Sequence, residues 1–324
     1  MVKKAGGAKK TNYSVAELVA KAEKLVDQCQ PELAAQFYER ALQKEPTNTA
    51  LLDAIGELST ELGNPERAVE AFQQSIQLAP AQNPSKWLYL AQLVPGDEAE
   101  KYLTQGVAVM LAELAQQTDQ TSDEARVIKK QICEAYCSLG ELYMTDLCFE
   151  DDAETKCEQY FLEAMKFDIG LPEPTQALAN LRFTQHRTAD EAGNADLADQ
   201  RRDEAVQLMD ETYRRLDEAC TEDTMPSLEY RVCTGKLLIE LEMYEKACDV
   251  LEGVMQEDDD NAELWFLVGT CYRAMDDLAL ALEFFQKCEK MLKKLQRELR
   301  DEFDLDAQLE SSAQDGTDDV DMEE

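Results

Sequence analysis

Small and large apolar residues recur along this chain at a fixed, long interval. Ala34, Tyr38 and Ala41 lead into Pro46, and 34 residues further on Ala68, Phe72 and Ser75 lead into Pro80. The same 34 residues separate Gly235 from Gly269, Ala247 from Ala281 and Leu251 from Phe285. Inside the interval the apolar positions step by four and three, the period of a helix with one buried face. Each interval therefore reads as two antiparallel helices packed closely together. Gly56, Gly140, Gly235 and Gly269 stand where the first helix must let its neighbour approach, and Ala34, Ala68, Ala247 and Ala281 do the same in the second.

An internal repeat of this length settles the architecture before any single element does. These anchors place repeats at about 15–48, 49–82, 84–112, 133–171, 172–216, 228–261 and 262–295. The last is the fullest, with Trp265, Val268, Gly269 and Tyr272 followed by Ala281 and Phe285. That series resembles the Trp-Leu-Gly-Tyr-Ala-Phe-Pro positions of the tetratricopeptide repeat, which implies an all-α superhelical solenoid of about seven helix pairs. Three repeats are irregular. The third has a shortened turn around Val94-Pro95-Gly96, the fourth an extra acidic turn at Glu150-Asp151-Asp152, and the fifth is stretched around Asp190 to Asp203. A polar segment from Gln116 to Glu124 reads as a loop between the third and fourth.

Three segments follow: a basic N-terminal tail (1–14), the repeat array with a terminal capping helix (15–300) and an acidic tail (301–324). Lys3, Lys4, Lys9 and Lys10 make the first basic, whereas the last holds 11 acidic residues and no basic one. Leu280 to Arg300 reads as a long mixed-charge helix, the polar end cap a solenoid needs. Past about Leu309 the apolar residues are too few to offset the entropy of ordering, so disorder is expected.

Charge changes the picture most. The chain carries 68 Asp and Glu against 32 Lys and Arg, a net −36. Phosphate recognition and anionic membranes need the opposite sign, so a basic protein is the partner such a surface attracts. No apolar run approaches the roughly 20 residues of a membrane-spanning helix. Ten cysteines without a Cys-x-x-Cys, and no signal-peptide core, suggest a reducing compartment, cytoplasm or nucleus. A single histidine, His186, excludes metal sites and triads that need two imidazoles. It is expected at the turn between the helices of the fifth repeat, in a structural role. Cys133 and Cys137, four apart on one helix face, read as small packing residues. No enzyme activity, cofactor or metal is expected.

The tetratricopeptide resemblance implies that first helices line an inner groove, at fixed positions of each repeat. Those positions are held by Glu23 and Asp27, then Asp53, Glu57 and Glu61, then Glu134 and Glu141, and later Glu229, Glu240 and Glu263. Lys236 and Arg273 are the exceptions. Leu88, Tyr89, Gln176, Asn180, Phe183 and Phe266 complete the candidate groove, its apolar members offering platforms for Arg and Lys stems. The bland alternatives are solvated helix faces for the carboxylates and core packing for the apolar residues.

The combination of a short basic N-terminus, the opening repeats through Pro46 and Pro80, the stretch Ala177-Leu178-Ala179-Asn180-Leu181-Arg182, the Trp265 repeat and the acidic C-terminus is similar to one family. It resembles the dedicated assembly chaperones of large-subunit ribosomal protein four, found in fungi and related eukaryotes. The resemblance implies a monomer that forms a 1:1 complex, shields the basic internal loop of its newly made cargo, enters the nucleus and delivers it to the assembling pre-60S subunit. Two other classes share features with it. A general tetratricopeptide co-chaperone would need a cationic clamp where this chain has Val19 and Asp53. A histone-type chaperone shares the charge logic.

Overall fold

The computed structural model describes residues 13–167, 169–218 and 225–315, without the side chains of 218 and 301–315. The described residues are all-helical, fourteen helices in antiparallel pairs. The first pairs are α1 (Val15–Asp27) with α2 (Pro31–Leu42), α3 (Thr49–Glu61) with α4 (Pro65–Leu78), α5 (Ser85–Gln92) with α6 (Gly96–Gln116) and α7 (Asp123–Met144) with α8 (Ala153–Lys166). They are followed by α9 (Glu173–Glu191) with α10 (Ala195–Glu218), α11 (Leu228–Glu240) with α12 (Tyr244–Met255) and α13 (Ala262–Ala274) with α14 (Leu278–Asp315). The chain divides into two compact units, residues 1–181 and 182–324, the division falling inside α9.

Local chemistry sets the boundaries. Ser14 caps α1 in a capping box with Glu17, Asn48 and Asn64 cap α3 and α4, and Pro31 and Pro65 open α2 and α4, where a missing N–H costs nothing. Within most pairs the turn is only three residues long and its middle residue is left-handed: Cys29 (φ 54°), Gly63 (φ 67°), Gly193 (φ 73°), Glu242 (φ 64°) and Asp276 (φ 65°). Such a turn reverses the chain in the least length, which is why the repeats keep step.

The small positions behave as the spacing predicts. A Cβ on Gly56 would stand 2.5 Å from Phe72 Cε1, and one on Gly235 2.5 Å from Leu251 Cδ2, so each glycine is the seat of the large residue sixteen positions on. Gly269 with Phe285 repeats the spacing, and Gly140 seats Phe161 at a longer interval because the turn between their helices is longer. Around these contacts Leu18, Tyr38, Leu51 and Ile55 form one buried cluster, and Leu103, Met110, Ile128, Ile132 and Leu139 another, both in the first unit.

Three expectations need correction. The fourth repeat starts well before 133, because α7 begins at Asp123 behind the cap Ser122. The fifth is not stretched by a loop: its turn is the three residues Ala192–Asn194, and the added length lies in α9 (19 residues) and α10 (24 residues). His186 consequently sits inside α9, where its Nδ1 is 2.9 Å from the Ala198 carbonyl of α10 and its ring lies beside Phe183, a structural tie as expected but not at a turn. At the far end α14 runs to Asp315. Most of the basic tail (1–12) and the last part of the acidic tail (316–324) lie outside the described residues.

Candidate functional site

In the first unit α3 touches α5, the first helix of the next repeat, as well as its own partner α4. Glu57 acts on two rings, sharing Tyr38 with Glu23 and Tyr89 with Glu61. Burial raises the Tyr38 phenol, helped by Glu23 and Glu57, and burial raises the Tyr89 phenol, helped by Glu57 and Glu61. Burial also holds the Glu57 carboxyl above its usual range, with Asp53 and Glu61 adding repulsion. None of these three glutamates has an ion-pair partner among the described residues, while Tyr89 stacks flat on Phe72, 5.5 Å between centroids. The result is a row of carboxylates without ion-pair partners among the described residues, Glu57 partly dehydrated between the exposed Glu23 and Glu61, with an aromatic plate beside it.

Asp53 is the main departure from the expected line. It is buried, accepts hydrogen bonds from Ser75 Oγ and from Asn83 Nδ2 at 2.9 Å, and faces the fully buried Lys86. The Lys86 ammonium donates to the Ala79 carbonyl (2.6 Å) and Ser75 Oγ (3.2 Å), and burial pulls it below the usual lysine range, Asp53 opposing. A residue at a groove position has become the polar joint between α3, α4 and α5. Leu88 is likewise a packing residue: its Cδ2 lies 3.3 Å from where a Gly106 Cβ would stand, against α6. Asp27 is exposed at the end of α1.

A second acidic patch in the same unit lies on α7. Burial raises the carboxyls of both Glu134 and Glu141; for Glu134 the cation Lys130, 3.7 Å away, works against burial and Glu173 works with it. Glu173, in the first turn of α9, was missed by the repeat arithmetic because the fifth repeat is irregular; its Oε2 is buried without a hydrogen bond. Gln176 and the exposed Asn180 follow on α9.

The second unit is different in character. Glu229 and Glu240 are exposed on α11, yet Glu263 on α13 is held by Lys236 at 2.7 Å, so the expected carboxylate is neutralised within the chain. Glu229, Lys236, Asp258 and Glu263 rim a cavity of about 620 Å³ walled by Val232 and Leu264. Phe266 is 53% exposed and tilted against Phe285, 5.8 Å between centroids. Cys133 and Cys137 are buried, as packing residues would be, and the hydrogen bond with Cys133, together with burial, drives the Cys137 thiol far up. Among the described residues no group of His, Cys, Asp and Glu could hold a metal ion, and no helix is long and apolar enough to cross a membrane.

The raised Glu57 carboxyl makes a test of its burial. A carboxyl raised in the folded state contributes stability that is present below its unfolded value and lost as pH rises through the folded one. Glu57→Gln, which stays neutral, should therefore melt above the unsubstituted protein at about pH 7 and level with it at about pH 4. A difference in melting temperature that does not change with pH would show that Glu57 is not held in a desolvated, repulsive setting.

Comparison with known proteins fits these features. The tetratricopeptide repeat model matches residues 50–82 and 262–291, the α3–α4 and α13–α14 repeats. The probable assembly chaperone of rpl4 from Schizosaccharomyces pombe is 32% identical over 266 residues, 79% of this chain and 73% of that protein. The chain belongs to the family of rpl4 assembly chaperones. A second such relative, from Emericella nidulans, is 25% identical over 261 residues, which span 77% of this chain and 61% of the relative. The solved structure of an assembly chaperone of RpL4 (Acl4, residues 1–338) superposes with a TM-score of 0.68 at 26% identity, covering 82% of this chain and 98% of that one. Membership of the rpl4 chaperone family thus rests on most of the chain, not on the two best-formed repeats alone.

Proposed function

We propose that this protein binds the basic internal loop of newly made large-subunit ribosomal protein four, shields it, and delivers it to the assembling pre-60S subunit, working between cytoplasm and nucleus without catalysis. The observation that carries this reading is the row Glu23, Glu57 and Glu61 beside Tyr89: carboxylates without cations, at least one of them repelled and dehydrated in the free protein. A row of Arg and Lys from outside removes that repulsion, and the ring accepts the aliphatic stem or stacks under a guanidinium. The loop of an unassembled ribosomal protein seeks phosphate. Carboxylates can stand in for phosphates until rRNA competes the loop away, and such an exchange needs no nucleotide.

Family membership supports the cargo, and the net charge of −36 supports the sign of the interaction. The test is a calorimetric titration with a synthetic copy of that loop. Saturable 1:1 binding that weakens steeply with added salt is expected. No binding at low salt would overturn the proposal.

A further inference from the structure

The fourth repeat breaks the rule of its neighbours. Where the other turns within pairs are three residues long, α7 and α8 are joined by the eight residues Thr145 to Asp152. The insertion is not slack. Leu147 is buried, the Gly96 amide donates to Asp146 Oδ2 at 3.1 Å, and Lys156 clamps Glu150 (3.1 Å) and Asp152 (3.2 Å) while donating to Tyr143 Oη. On this braced turn Phe149 is 95% exposed. Folding gains nothing from a phenyl ring left in water, and these contacts fix the turn that carries it. A protruding aromatic side chain on a preorganised turn has the form of a binding hot spot, because little ordering entropy remains to be lost.

The surroundings narrow the partner. Of the three acids that follow Phe149, Glu150 and Asp152 are paired with Lys156 while Asp151 is exposed, so the pocket that takes the ring should carry a cation on the rim facing Asp151. The turn also continues α7 one step beyond Glu141, with Thr145 Oγ1 bonded to the Glu141 carbonyl. A cargo segment lying over Glu134 and Glu141 would bring the rest of the cargo to this point. We infer that Phe149 is a second contact for the cargo, seated in an apolar, basic-rimmed depression on the folded body of the ribosomal protein rather than on its internal loop. This rests on the cargo reading above, and it adds a second site that recognises the body.

The experiment uses two probes, whole ribosomal protein four and its isolated loop, against the full chain and its Phe149→Ser and Phe149→Leu variants. Phe149→Ser should bind the whole cargo about tenfold or more weakly and the loop unchanged, with Phe149→Leu recovering most of the loss. Because the ring is in solvent, melting temperatures should match. Equal affinity of Phe149→Ser and the unsubstituted chain for the whole cargo would overturn the inference while leaving the loop-binding proposal standing. So would an equal loss on both probes, which would place the turn on the loop. If the unsubstituted chain holds neither probe, the inference and the proposal fail together.

Discussion

Replacing Asp53 by Ala should lower stability by about 3 kcal/mol, the upper end of the range for stranding a buried hydrogen-bond donor. The side chain holds Ser75, Asn83 and the field on Lys86 at once. Without it the Lys86 ammonium keeps the Ala79 carbonyl and Ser75 Oγ but loses the attraction of the Asp53 carboxylate, in a buried position. Lys86→Met placed on top of Asp53→Ala should recover part of the loss, since the stranded charge is then gone. Chemical denaturation of the single and double variants checks both statements. A single variant within about 1 kcal/mol of the parent, the scale of an exposed pair, would mean that the joint is hydrated.

Asp53 also shows what the sequence could and could not yield. Repeat arithmetic put it in line with Glu57 and Glu61, and the helix does carry all three. Whether a side chain on that helix meets solvent or protein depends on Ser75 and Lys86, which come from other helices and which no period announces. The same limit explains Glu263, whose neutralising Lys236 was visible only as an exception on a neighbouring first helix. By contrast the glycines were legible, because a small residue opposite a large one is a local steric requirement that the chain repeats: Gly56 with Phe72 and Gly235 with Leu251 needed only the interval to be paired. The length of α9 and α10 was not legible, since Asp, Arg and Gln on a solvated helix look like a loop in composition. Phe149 is hidden for a similar reason: the sequence shows an acidic turn, but only the fold shows that the turn is braced and the ring left outside.

The largest effect on binding is expected from reversing charge on the first-helix face of the first unit. Glu23, Glu57 and Glu61 are the residues to change, since Asp53 would confound binding with stability. The partly dehydrated Glu57 paired with a cargo cation is worth on the order of 2 kcal/mol, the exposed Glu23 and Glu61 under about 1 each, and a lysine in each place adds repulsion. The matched control reverses three exposed acids on second helices, Glu32, Glu66 and Glu113, chosen because Glu39 and Glu70 are engaged by Arg67 at 2.7 and 2.9 Å. Both triples shift the net charge equally, so any long-range attraction changes alike in the two. The deciding measurement is the affinity of each triple variant for the basic loop at physiological salt, beside its helicity and melting temperature. The account predicts that the Glu23, Glu57 and Glu61 variant folds but loses the loop, while the control binds almost as the parent does. Equal weakening in both would contradict it, for the acidity would then act as a diffuse field and not through a site.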